Sequence, residues 1–185
     1  MHRQSAHYSC SLAARFEQEI PMQYLARFAV PFAAVLAAAL FTGASLAATV
    51  VDVSLWDKGA SMPMGTGMTY GKMDMTMSMA PMGIKASPAT ARAGVVTFHV
   101  TNSSKDTIHE MIVMYLADPT KPLPYIDADQ RVDEDKAGDK GEVSELDPGA
   151  SGTLTVALKP GKYLLICNVP GHFASGMWTE FDVTQ

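Results

Sequence analysis

From Thr49 onward, apolar residues recur with period two or in short runs, glycine and proline punctuate them closely, and no long stretch carries the 3.6 period of a helix. Such a pattern buries one face of each short strand and predicts an all-β domain. Thr49 to Trp56, Gly94 to Asn102 and Ile108 to Tyr115 read as strands, with Val96, Phe98 and Val100 sharing one face. Pro148-Gly149 and Pro160-Gly161 both suit type II turns, proline presetting the first central position and glycine supplying positive φ at the second. The latter is expected to join Thr153 to Leu158 and Lys162 to Asn168 in an antiparallel hairpin, and Met177 to Val183 is a last strand. Seven or so short strands in a chain of this size fit a two-sheet Greek-key β-sandwich.

Ahead of this pattern lies a segment of another kind. Arg27 opens an almost wholly apolar run, Phe28 to Leu46, and Ser45-Leu46-Ala47 places small residues where a signal peptidase needs them. The expected division is an extension over 1–21, with mixed charge and no period, a signal peptide over 22–47 with Met22 as the start, and a domain over 48–185. The other reading is a retained membrane anchor, the run being near the lower end of spanning length. A cleaved signal implies an exported, periplasmic protein; membrane attachment follows only if the segment is kept. Residues 48–185 hold 11 Lys and Arg against 17 Asp and Glu, a net charge near −6. Without a basic stripe, nucleic-acid binding is excluded.

Two segments depart from the strand pattern and read as loops or loosely held edges. Residues 61–83 contain eight methionines, among them Met75, Met77 and Met79 at alternate positions. Thioethers bind Cu(I) without deprotonation and form no disulfides, so these three are a candidate accessory Cu(I) site. Period two equally suits packing against a sheet. Residues 123–145 carry eight carboxylates against Arg131, Lys136 and Lys140. This acidic insertion reads as a solvated surface, or as one that steers a cationic partner.

With Cys10 in the leader, Cys167 is the domain's single cysteine, and an exported domain with one cysteine has no internal disulfide. Its neighbourhood explains it: Cys167-Asn-Val-Pro-Gly-His172-Phe-Ala-Ser-Gly-Met177 brings a thiolate, an imidazole and a thioether into one loop. His109, on the Ile108 to Tyr115 strand, is the natural second imidazole. Two imidazoles, one thiolate and a weak axial thioether form the trigonal ligand set of a blue-copper electron-transfer site. Val169, Pro170, Phe173 and Ala174 are expected to form an apolar rim around a partly exposed His172. His99 alternates with the apolar face of its strand and reads as solvent-facing, while Met111 and Met114 read as core.

Asn102-x6-His109 with Tyr163-x3-Cys167-x4-His172-x4-Met177 resembles the cupredoxin family, with a ligand-loop spacing like that of azurin. The Cys-x-x-Pro-Gly-His wording is also similar to sulfocyanin and related bacterial plastocyanin-like domains. The resemblance covers roughly residues 85 to 185. It implies a β-sandwich binding one type 1 copper through His109, Cys167, His172 and Met177. One position departs: azurins and plastocyanins commonly place Asn directly after the first ligand histidine, and this chain has Glu110.

The function expected is a one-electron carrier serving a redox protein such as a cytochrome or oxidase. The alternative is a periplasmic copper carrier or resistance protein, with the methionine segment collecting Cu(I) for a copper-transfer partner. Enzyme readings fail on residue counts. Only His99, His109 and His172 remain beyond the leader, too few for a second copper cluster, and a binuclear centre lacks its bridging cysteine. A catalytic zinc site leaves Met177 idle and has no evident general base.

Overall fold

The computed structural model describes residues 48–59, 67–71 and 79–185. The expected extension and signal peptide lie outside the described residues. Among the described residues no helix is long and apolar enough to cross a membrane.

The described residues form eleven strands, in order β1 (Thr49–Asp57), β2 (Met82–Ser87), β3 (Thr90–Arg92), β4 (Gly94–Asn102), β5 (His109–Tyr115), β6 (Tyr125–Ile126), β7 (Arg131–Val132), β8 (Asp139–Leu146), β9 (Ser151–Leu158), β10 (Gly161–Ile166) and β11 (Trp178–Thr184). One sheet runs β2-β1-β4-β9, the other β3-β11-β10-β5-β8, and β6 pairs only with β7. β1 runs parallel to β4 and β3 parallel to β11; the other pairs are antiparallel. The all-β sandwich expected from the alternation is what forms.

Alternation decides what each sheet buries. Val51, Val53 and Leu55 of β1 and Val96, Phe98 and Val100 of β4 face inward, meeting Met111, Val113, Tyr163, Leu165, Phe181 and Val183 of the second sheet. Phe98 and Phe181 meet edge to face across this core, centroids 5.3 Å apart, a geometry worth roughly 0.5–1.5 kcal/mol beyond area burial. His99 points outward and is exposed, as expected, and Met111 and Met114 are fully buried.

The second sheet is covered on its other face too. Ile112, Met114, Leu164, Ile166 and Trp178 pack there against Tyr70, Leu116, Leu123, Val132, Ala137 and Phe173. This corrects two expectations. The acidic insertion is not a loose loop: Leu123, Val132 and Ala137 anchor it, a short helix α1 (Glu134–Ala137) is capped by Asp133, and its last part is strand β8 paired with β5. Its carboxylates look outward while its few apolar residues seal the sheet. Of the methionine segment, Met82 opens strand β2, and Met68 and Met82 are buried.

The hairpin expected across Pro160-Gly161 does not form. β9 pairs with β4 in one sheet and β10 with β5 and β11 in the other. Tyr163 to Ile166 are all buried, so β10 needs neighbours on both edges and cover on both faces. β9 is an edge strand with exposed alternate residues. Gly161 accordingly has φ 155°, far from a type II turn, and the chain crosses between sheets there. At Pro148-Gly149 the turn is as expected: Gly149 has φ 78°, and Ala150 N–H donates to the Asp147 carbonyl at 2.9 Å.

Candidate metal centre

The topology brings four separated residues to one end of the sandwich. His109 starts β5, Cys167 follows the last residue of the adjacent β10, and Met177 directly precedes β11. The loop between them folds on itself: Cys167 N–H donates to the Met177 carbonyl and Met177 N–H to the His172 carbonyl, both at 3.0 Å. Gly171 (φ 81°) and Gly176 (φ 91°) take the left-handed turns this requires. Ser175 supports the loop by donating its hydroxyl to the Gly171 carbonyl at 2.8 Å.

His109 Nδ1 lies 3.2 Å from His172 Nδ1, which lies 3.4 Å from Cys167 Sγ. One donor atom from each of the three residues falls within 4.8 Å of the others. Donors held ~2.0–2.3 Å from one small ion must lie a few ångströms apart, so the spacing suits a single metal. The donor types select it: imidazole and thiolate in a buried, carboxylate-free set suit copper rather than calcium or magnesium. The cluster fits a type 1 copper site. Met177 is fully buried in the same apolar cluster as Cys167 and Met111, its backbone tied to both Cys167 and His172.

Burial governs the protonation of these donors. It pushes the Cys167 thiol up to about 12, against the N–H of Glu110 aimed at the sulfur. Burial pulls His172 down to about 4, and the neighbouring His109 adds to the effect. His109 is likewise lowered by burial, partly offset by Asp57. At neutral pH both imidazoles are neutral, which leaves a ring nitrogen of each free to act as a ligand.

Three residues surround the site; the sequence singles out the position of Glu110 as a departure from the family pattern, but not Asp57 or Asn168. Asp57, at the end of β1, places Oδ2 2.9 Å from His109 Nε2 and takes the Gly59 N–H on Oδ1 at 2.7 Å. Burial opposes its ionisation, but the hydrogen bonds from His109 and Gly59 hold it below the usual carboxylate range. Glu110 is 6% exposed, and its carboxylate accepts the Asn168 N–H at 3.0 Å. Burial, then the nearby Glu142, raises Glu110 to about 7. Asn168 bonds the β7 backbone twice, accepting from Val132 N–H at 2.6 Å and donating to its carbonyl at 3.0 Å. The Asn168 pairing is a long-range contact with the insertion, and Asp57 lies 52 residues from His109, so no spacing rule could flag either.

The apolar rim takes a different form from the one expected. Pro170 is exposed and Val169 half-buried, but Phe173 and Ala174 are buried and His172 is only 5% exposed. The 3-10 turn Phe173–Ser175 points inward, Phe173 packs near Tyr125, and Gly171 N–H bonds the Gln130 carbonyl at 2.9 Å. Met68 N–H donates to the Ala174 carbonyl at 3.1 Å, and Trp178 Nε1 donates to the Met68 carbonyl at 2.6 Å. Segments outside the ligand loop therefore cover it. Of the candidate accessory Cu(I) ligands, Met75 and Met77 lie outside the described residues, and Met79 is 61% exposed.

A family model described as the sulfocyanin (SoxE) domain matches residues 90–185. No curated protein matches the chain significantly. Among solved structures the fold is similar to auracyanin B, at 19% identity and TM-score 0.50 over 75% of this chain and 90% of that one. Dithionite-reduced auracyanin from the photosynthetic bacterium Roseiflexus castenholzii matches at 18% identity and TM-score 0.45, covering 74% and 97%. Rusticyanin from Thiobacillus ferrooxidans matches at 17% and 0.45, covering 73% and 76%.

Proposed function

The chain belongs to the sulfocyanin (SoxE) domain family of cupredoxins, and from that premise we propose that it is an exported blue copper protein with one copper ion held by His109, Cys167, His172 and Met177. It is a cupredoxin-like electron carrier rather than an enzyme. The observation that carries the ligand assignment is the convergence of His109 Nδ1, His172 Nδ1 and Cys167 Sγ at one buried point.

Bound copper supplies a one-electron couple between Cu(I) and Cu(II). The chain's contribution is rigidity. Two sheets and a self-bonded loop hold the donors in one arrangement, so neither oxidation state requires much movement. The apolar core excludes water beneath the site, and β8 with the insertion closes its flank. Asp127, Asp129, Asp135, Asp139, Glu142 and Glu145 are exposed, which supports a redox partner with a basic face, such as a cytochrome or an oxidase.

The test is visible absorption and electron paramagnetic resonance of the copper-loaded protein and of Cys167→Ser. An intense blue band with narrow copper hyperfine splitting, both absent from the variant, is the expected result. A parent protein that binds Cu(II) without an intense blue band overturns the reading.

A further inference from the structure

Every imidazole ligand must choose a tautomer, and the structure shows what makes the choice for His109. Both ring nitrogens are engaged, Nδ1 toward His172 Nδ1 at 3.2 Å and Nε2 toward Asp57 Oδ2 at 2.9 Å. An ionised carboxylate only accepts hydrogen bonds. The proton of the neutral ring must therefore sit on Nε2, which leaves the Nδ1 lone pair directed at the other donors. The His109 side chain is fully buried and that of Asp57 is 4% exposed, so the bond between them is largely shielded from bulk water.

Asp57 is itself fixed. The β1–β2 ladder continues to the pair Asp57 and Met82, Lys58 N–H bonds the Pro81 carbonyl at 2.8 Å, and Gly59 N–H occupies the carboxylate's other oxygen. The first sheet thus reaches across to orient a ligand that belongs to the second.

We infer that Asp57 is the positioning residue of the copper site: its carboxylate holds His109 with Nε2 protonated and Nδ1 free for the metal, and its negative charge favours the oxidised state. The inference rests on the ligand assignment proposed above. A carboxylate behind a ligating imidazole fixes ring orientation and raises ligand basicity, and loss of such partners costs 10–100-fold in metal affinity. The charge acts in the same sense, since it interacts more favourably with Cu(II) than with Cu(I).

Asp57→Asn is the informative variant. Its single carbonyl oxygen is claimed by Gly59 N–H, which turns the amide NH2 toward His109 Nε2. A donor there demands the opposite tautomer, with Nδ1 protonated. The first readout is nitrogen-15 NMR of His109 in the metal-free protein, which needs no copper: Nε2–H is expected in the parent and Nδ1–H in the variant. The second is a copper titration with potentiometry, where about 10–100-fold weaker binding and a higher reduction potential are expected. Asp57→Ala, with neither donor nor acceptor, should show mixed tautomers and the same direction of change in potential. If the parent carries Nδ1–H, or the variant's tautomer, affinity and potential all match the parent's, the inference is overturned. A correct tautomer in a parent that forms no blue site instead sinks the ligand assignment and leaves the Asp57–His109 orientation standing.

Discussion

The backbone N–H of Glu110 donates to the sulfur of Cys167 at 3.5 Å, while the Glu110 carboxylate accepts the N–H of Asn168, the residue after that cysteine, at 3.0 Å. One residue thus clamps the thiol-bearing segment from two directions. The residue that departs from the common asparagine retains a hold on the thiolate, because the donor to sulfur is main chain and the side chain secures the neighbouring peptide.

At pH about 4, where Glu110 is largely protonated in both states, Glu110→Ala removes the acceptor and leaves the buried Asn168 N–H unpaired, a loss of about 1–3 kcal/mol. The main-chain donor to sulfur remains, so the absorption maximum of the copper form should stay near the parent's. Glu110→Gln keeps an acceptor oxygen and should lose less. Urea unfolding of the metal-free proteins measures this; equal stability of the Ala and Gln variants would mean the side-chain half of the clamp is idle.

Glu110 also sets a pH dependence. Its folded value of about 7 lies above an unfolded value near 4.5, so between the two the native state binds more protons than the unfolded chain. Stability from this group is full below the unfolded value and declines as pH rises through the folded one, by on the order of 3 kcal/mol. His172, lowered to about 4, acts oppositely, contributing fully above about 6.5 and losing that contribution as pH falls toward 4. Subtracting the Glu110→Gln curve cancels His172. The metal-free parent should lose stability relative to that variant as pH is raised from about 4.5 to 7. A pH-independent difference contradicts the assignment.

The parts of this fold that could be read in advance are those whose signal is local. β1 and β4 alternate cleanly because only one face of their sheet is buried, and the ligand loop announces itself by spacing within eleven residues. β10 carries Leu-Leu-Ile between Tyr163 and Cys167, apolar on both faces. That run states that cover exists on both sides but not what supplies it, and turn chemistry alone points to β9 where the neighbours are β5 and β11. The insertion misled for a related reason. Its eight carboxylates dominate its composition, while Leu123, Val132 and Ala137, a small minority, decide where it docks. Asp57 was invisible because strand-end acids are common and its partner lies in the opposite sheet.

Metal loading should displace a proton. The Cys167 thiol, raised to about 12, is protonated at working pH in the metal-free protein and must ionise to bind copper. At pH about 8.5, where Glu110 is already ionised, copper binding should release close to one proton per ion, and binding should tighten as pH rises. Titration in buffers of different ionisation enthalpy counts the proton. Cys167→Ser should release none at that pH; the same release from that variant would place the proton on another group.

Gly176 offers a test of how tightly the covering segments press on the ligand loop. Its φ of 91° is left-handed, and a Cβ there meets the Ala80 side chain at 3.0 Å and the Met68 sulfur at 3.3 Å. Gly149 has a similar φ of 78° but open space around it. Both alanine variants carry a backbone penalty of order 1–3 kcal/mol, so their difference isolates the contact. Gly176→Ala should be the less stable of the two and should displace Met68, weakening the bonds from Met68 N–H to Ala174 and from Trp178 to the Met68 carbonyl. Faster hydrogen exchange at the Met68 amide, with Trp178 fluorescence shifted toward that of a solvated indole, is the accompanying signature. Gly149→Ala should leave both unchanged, because its turn lies in the connection between β8 and β9. Equal losses from the two variants, with no change at Met68 or Trp178, would show that the cover yields freely and that the ligand loop keeps its shape through its own hydrogen bonds.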